Sequence, residues 1–220
     1  MATSLTQELV NTWVNGWAAA RNYATSQDGD LPVVHLGEDR GNGQEYFLLD
    51  PTEEHVRHAV QKLGGDPAGR ITIVTNELAN VYPLAEQFGL DVVRTEESLM
   101  VANMAFQDVE EPPMPWEEFS REVERSDSRA ILRVLHEDND IAHGSLALVD
   151  GTAVYDRVET SPEYRRRGLG SYVMRALSAI ALEHDADAGI IIASADGRML
   201  YQFLGWESVA AVATLKPRKA

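Results

Sequence analysis

In the segment SPEYRRRGLGSYVMRAL, residues 161–177, three consecutive arginines run into two glycines spaced by one residue. Arg165, Arg166, Arg167, Gly168 and Gly170 suit one kind of chemistry, the holding of an anion. Glycine reaches positive φ and lets a ligand come close to the main chain. Val173, Met174, Leu177, Ile180 and Ala181 follow at helical spacing. The glycines therefore stand at a helix N-terminus, where unpaired N–H groups and the helix dipole attract phosphate. Leu169 contributes its amide, and Ser171 an amide and a hydroxyl. The alternative, a helix start that merely happens to be basic, puts positive charge where the dipole disfavours it.

The loop is neither of the common nucleotide cradles. No Gly-Lys-Ser/Thr follows the glycines, and a dinucleotide fingerprint needs a third glycine. The chain around it is acidic, with a formal charge of −16. That argues against nucleic acid or an anionic membrane as partner. It fits a cationic partner, or simply solubility. Absence of cysteine excludes disulfides and Cys-ligated metal, and no metal site is expected. No signal peptide or spanning segment is read, so a cytoplasmic location is expected.

The elements that must carry the loop are readable in the sequence around it. TAVYDRVET before it is a strand, and GRMLYQFLG and WESVAAVATLK beyond it are a short helix and a last strand. AGIIIAS lacks alternation and predicts a strand covered on both faces. AILRVLHEDN and IAHGSLALVDG are strands with turns at Asp138–Asn139–Asp140 and Asp150–Gly151. EEFSREVERS reads as a short helix, and the proline-rich 110–116 as a linker. In the first half, Ser4 and Gln7 make a capping-box pattern. Leu9, Trp13 and Trp17 share one face of the helix that follows. LPVVHLG, EYFLLD and RITIVTN are strands. Asp50, Pro51 and Glu53 suggest N-cap, N1 and N3 of a helix to Leu63. LANVYPLAEQFGL is helical and DVVRTEESLMVANMAF extended. The class is α/β, a mixed sheet with helices packed on it.

The loop resembles the pyrophosphate motif of the GNAT superfamily of acyl-CoA-dependent N-acyltransferases, Q/R-x-x-G-x-G/A, through Arg165, Gly168 and Gly170. A second family pattern, N-x-x-A-x-x-L-Y-x-x-L-G-F, is matched in SADGRMLYQFLGW by Leu200, Tyr201, Leu204, Gly205 and Trp206. Ser194 stands where asparagine is usual and Gly197 where alanine is. The resemblance covers about residues 117–217.

The resemblance implies a GNAT-like central sheet and acetyl-CoA as co-substrate, with Ser194 at the cofactor side. The strand before the loop, around Val158 and Thr160, would bind pantetheine. The amides of residues 166–171 would hold the pyrophosphate. A primary amine, on a small molecule or peptide, would attack the thioester directly. Tyr201 would protonate the leaving thiolate, the alternative being core packing. The amine must lose a proton. Asp156 is the first candidate to help, Glu159 the second and His143 the third. Strand alternation puts Val154, Asp156, Val158 and Thr160 on one face, and Tyr155, Arg157 and Glu159 on the other. The alternative for Asp156 is a salt bridge within the sheet. A non-catalytic acyl-CoA-binding module on the same fold also remains open, as does a homodimer.

The first half echoes the second. From Ile71 and from Ile190, a buried strand leads to a tyrosine eleven residues on, Tyr82 and Tyr201. Each helix then closes on glycine and a hydrophobic residue, Gly89–Leu90 and Gly205–Trp206. The expectation is a degenerate GNAT-like half over 1–109, a linker over 110–116 and a catalytic half over 117–220. An unrelated α/β cap is the alternative.

Overall fold

The computed structural model describes residues 4–107, 110–114 and 116–218. The linker expected over 110–116 thus includes one position, Pro115, outside the described residues. The first half is α1 (Gln7–Arg21), β1 (Ala24–Asp28), β2 (Leu31–His35), β3 (Gln44–Leu49), α2 (Glu53–Leu63), β4 (Arg70–Thr75), α3 (Val81–Gln87) and β5 (Leu90–Asn103). The second is β6 (Phe119–Ser126), β7 (Arg129–His136), β8 (Asn139–Val149), β9 (Thr152–Thr160), α4 (Leu169–Glu183), β10 (Ala188–Ala193), α5 (Ala195–Phe203) and β11 (Glu207–Pro217).

All eleven strands form one sheet, in the order β1-β2-β3-β4-β11-β5-β10-β9-β8-β7-β6. Among the described residues only β3–β4 and β9–β10 are parallel; each has the crossover that parallel pairs require, here a helix. The succession β3–α2–β4–α3–β5 is repeated as β9–α4–β10–α5–β11. The two final strands change places. β11 inserts beside β4, and β5 inserts beside β10. Each half is thus completed by the other's last strand.

Helices cover both faces. On one, α2 and α3 lie over Ile71, Ile73 and Leu215, and α4 lies over Leu132, Leu146 and Tyr155. On the other, α1 buries Trp13, Trp17, Phe47, Val154 and Ile190 in one cluster that bridges the halves. Trp13 and Trp17 both meet Phe47 edge-on, at 5.4 and 5.6 Å. Gly16 allows this closeness, since a Cβ there would lie 2.3 Å from Val154 Cγ2. No described helix is long and apolar enough to cross a membrane.

Several local expectations are corrected. EEFSREVERS is strand β6, not a helix, and pairs with β7 from Phe119–His136 to Ser126–Arg129. Phe119 and Val123, four apart, share a face in either conformation, so their spacing could not decide. The N-cap of α1 is Thr6, whose hydroxyl accepts the Leu9 N–H at 3.2 Å. The N-cap of α2 is Thr52; Asp50 instead accepts a hydrogen bond from the Thr75 hydroxyl at 2.6 Å. The β7–β8 turn falls at Glu137–Asp138, both at positive φ, one residue earlier than read.

Candidate functional site

The strand before the glycine loop parts from its neighbour. β9 pairs with β10 only as far as Tyr155–Ile191. Beyond that β9 runs on to Thr160, bonded on its other edge to β8 alone. In the first half, β3 and β4 stay paired through Leu49–Val74, where β3 ends. The wedge is therefore confined to β9.

A β-bulge marks it. On β8 one residue lies between His143 and Ser145, while two lie between their partners Asp156 and Glu159. Arg157 takes a φ of 51° to absorb the extra residue. This corrects the simple alternation. Val154 packs under α1 and Asp156 meets α1, but Val158 packs on the α4 side with Tyr155. A bulge shifts the alternation by one residue, so it divides Val158 and Thr160 from Asp156.

The loop closes over that wedge. A 3-10 turn at Pro162–Tyr164 leads into Arg166 at φ 63° and Gly168 at φ 85°. Gly168 is the N-cap of α4 and no side chain caps the helix. The first amides of α4 are thus left for an outside acceptor. A Cβ on Gly170 would stand 3.0 Å from Leu200 Cδ2 and 4.0 Å from Thr160 Oγ1, narrowing the space above the wedge. The arginines divide. Arg165 Nε donates to the Thr160 carbonyl at 3.2 Å, tying the loop to β9. Arg167 lies over the Tyr164 ring at 5.2 Å, and Tyr164 hydroxyl meets His136 Nδ1 at 2.8 Å. Arg166 is exposed. The Leu169 side chain is in the core, so only its main chain faces the loop.

A cleft of about 820 Å³ brings these groups together with others. Val158, Glu159, Thr160, Arg165, Arg166, Gly168, Leu169, Gly170, Ser171, Ser194 and Tyr201 all line it, as does His143. Arg167 and Asp156 do not. The Ser194 hydroxyl caps α5, accepting the Gly197 N–H at 3.2 Å, and keeps its own proton to donate. Tyr201 is 5% exposed and packs near Trp206. Its hydroxyl makes no hydrogen bond among the described residues. Burial pushes its pKa well above the usual value, with the Asp156 carboxylate adding to the rise. Tyr82, its counterpart in the first half, is 52% exposed.

Asp156 points to the other face. Arg21, from α1, donates to both its oxygens, Nε to Oδ2 at 2.6 Å and Nη2 to Oδ1 at 2.9 Å. The Glu159 carboxylate has no hydrogen bond or ion pair among the described residues, while His143 Nδ1 lies 3.1 Å from Asp140 Oδ2. Beside Asp156, under α1, is a smaller cavity of about 110 Å³. Its walls include Trp17, Arg21, Arg40, Glu45 and Thr72, mostly from the first half. The sequence offered little sign of it. Arg21 does extend the Trp13, Trp17 series by four, and Glu45 is an acidic residue at the start of an apolar strand.

Residues 96–206 match the model of the acetyltransferase (GNAT) family. No curated protein matches the sequence. Among solved structures, a GCN5-related N-acetyltransferase from Kribbella flavida is 15% identical with a TM-score of 0.70, covering 100% of this chain and 98% of its own. One from Sphaerobacter thermophilus is 11% identical with a TM-score of 0.60, covering 86% and 78%. A tandem GNAT protein from the clavulanic acid biosynthesis pathway is 11% identical with a TM-score of 0.58, covering 95% and 93%. At such identities the likeness is one of fold.

Proposed function

Because the chain belongs to the GNAT acetyltransferase family, we propose that it moves the acetyl group of acetyl-CoA to a primary amine by direct attack within a ternary complex. The observation that carries this reading is the wedge between β9 and β10, set beside an uncapped helix N-terminus. The co-substrate supplies an activated thioester carbonyl. The chain's part is to hold it, to admit the amine and to manage two protons.

The unpaired edge of β9 beyond Tyr155 offers main-chain groups to the pantetheine amides. The amides at the start of α4 meet the pyrophosphate, helped by the dipole. Gly170 keeps that approach open, and Arg166 adds charge. The C–N bond forms as the C–S bond breaks. Tyr201 stays protonated throughout the neutral range, so its hydroxyl can donate to the departing thiolate. Asp156, with both oxygens engaged by Arg21, is a positioning residue. Glu159 is the carboxylate left to receive the amine's proton, directly or through water. The first half lacks a wedge and a glycine loop, which fits a degenerate copy and one acetyl-CoA per chain.

Titration calorimetry tests the assignment. Acetyl-CoA binds the wild type in the micromolar range with a stoichiometry of one. Gly170→Val weakens binding by tenfold or more. Equal affinity in the two proteins refutes the loop's role.

A further inference from the structure

The cavity under α1 is walled in part by a carboxylate and a guanidinium, Glu45 and Arg40, that stand 3.7 Å apart without a hydrogen bond between them. Glu45 is 4% exposed. Its Oε1 accepts the Thr72 hydroxyl at 2.6 Å, and Thr72 in turn lies 3.2 Å from the Thr214 hydroxyl. Its Oε2 is buried with no hydrogen-bond partner, and Glu45 is one of the residues lining the cavity. A buried carboxylate oxygen without a donor is costly and uncommon. Arg40 stands 3.7 Å from that oxygen, close enough for charge attraction and too far for a hydrogen bond. Its guanidinium rests on Trp17 at 5.4 Å and makes no hydrogen bond among the described residues.

The other charges of the cavity are matched internally. Arg21 is taken by Asp156 and Arg94 by Glu97, at 2.6 and 3.0 Å. Thus, among the charged residues lining the cavity, one acceptor and one donor lack a hydrogen bond, side by side; Arg70, whose Nε is also without a partner, is not among them. A bare cation would answer Glu45 but meet Arg40, with Arg70 and Arg21 also acting on the site. A bare anion would answer Arg40 but meet Glu45. A group carrying both charges answers both.

Two further facts tie the cavity to the reaction. Asp156 and Tyr155 line it where β9 leaves β10. Arg94 and Glu97 line both the cavity and a surface depression of about 640 Å³ that reaches Ser194 on the cleft wall. β5 is irregular at this place, its register to β11 slipping between Glu97 and Arg94.

We propose that this cavity holds the acceptor, and that the acceptor is an amine whose far end is a zwitterionic amino-acid head group. The ammonium donates to Glu45 Oε2, the carboxylate accepts from Arg40, and the second amine of the molecule lies by Asp156 for acetylation. The inference rests on the acetyl-transfer reading above. It assigns substrate choice to the half of the chain that has no glycine loop.

Substrate trimming tests it, with thiol release from acetyl-CoA as the readout. Lysine and ornithine are compared with cadaverine and putrescine, which lack the carboxylate, and with ε-aminocaproate and δ-aminovalerate, which lack the α-ammonium. One charge-assisted hydrogen bond lost should lower kcat/KM about tenfold or more. Glu45→Gln should abolish the preference for the diamino acid over the aminocarboxylate. Arg40→Gln should abolish the preference over the diamine. Acetyl-CoA affinity, measured by calorimetry, should be unchanged in both, which also shows that they fold. Trimmed compounds that react as well as their parents overturn the proposal. So does a protein that binds acetyl-CoA yet accepts neither diamino acid. Failure of the wild type to bind acetyl-CoA would instead remove the acetyl-transfer reading.

Discussion

Arg21 of α1 and Asp156 of β9 are joined by two hydrogen bonds, at 2.6 and 2.9 Å, across 135 residues of sequence. The pair pins the first helix to the strand that opens the wedge. Both side chains are nearly buried, 10% and 13% exposed. Arg21 also lies over Trp17 at 5.3 Å, so the helix, the ring and the carboxylate are fixed as a unit. An ion pair of this kind ties α1 to the strand at the wedge and engages one lone pair on each carboxylate oxygen.

Removing one partner strands a charge. Breaking a buried pair from one side costs about 3–5 kcal/mol. For a chain of 220 residues, each kcal/mol is worth about 2–4 °C in Tm. Asp156→Asn should therefore lower Tm by roughly 6–20 °C. The double variant Arg21→Met/Asp156→Asn should recover much of that, with kcat rising alongside. Calorimetric melting and thiol release together decide. A double variant that regains stability but stays as inactive as the single one would make Asp156 a base after all.

The anion loop was legible from residues 161–171 because glycine and arginine act locally. The bulge was not. It arises from pairing with β8, and nothing in DRVET by itself displaces Val158 to the α4 side. The helical reading of 117–126 failed because Phe119 and Val123 satisfy a helix and a strand equally, and only β7 decides between them. The polar strand β1, ATSQD, carries no apolar residue beyond Ala24 and left no signal. The pocket at Glu45 lies furthest from view. It needs α1, β3, β4 and β11 to converge, and each contributes a residue unremarkable in its own segment.

The strand exchange predicts that the halves do not fold alone. A fragment of residues 117–220 lacks β5 and the turn after it, hence Met100, Ala102 and Met104 of its own core. It also leaves the edge of β10 bare, a pairing hazard. The fragment should be unfolded or aggregated by circular dichroism. Fragments 1–116 and 117–220 should associate when expressed together. The intact chain should melt in one transition. Two separate transitions, or a native-like 117–220, would show the exchange to be dispensable.

Glu45 predicts an unusual dependence of stability on pH. Burial raises its pKa above the ordinary 4.5, against the lowering effects of the Thr72 bond and the nearby arginines. The folded chain therefore retains this proton at pH values where the unfolded chain has lost it. Where the native state binds more protons, stability falls as pH rises. Glu45→Gln keeps an acceptor for Thr72 and carries no titrating proton. Its Tm relative to wild type should climb from about pH 4.5 upward. A difference that is flat over that range would show the carboxylate to be satisfied in solution.

Tyr201 is the proposed acid, and its surroundings set what to expect. The ring is buried near Trp206, at 6.2 Å between centroids, and Tyr201 is one of the residues lining the cleft. Burial, then the charge of Asp156, hold the proton on the phenol. An acid is effective only while protonated, and this one loses its proton only above the usual tyrosine value of about 10. The plateau of kcat against pH should thus run to at least about pH 10 with no basic limb from this group. Tyr201→Phe keeps the ring and deletes the hydroxyl. Loss of general-acid help typically costs about 10²–10⁴-fold. The variant should show that fall in kcat, an unchanged Kd for acetyl-CoA and an unchanged Tm. Deletion of the packing instead, by Tyr201→Ala, should lower Tm as well, since truncating a buried aromatic costs about 3–5 kcal/mol. If the Phe variant turns over within about twofold of wild type while the Ala variant melts early, the residue serves the core and water protonates the thiolate.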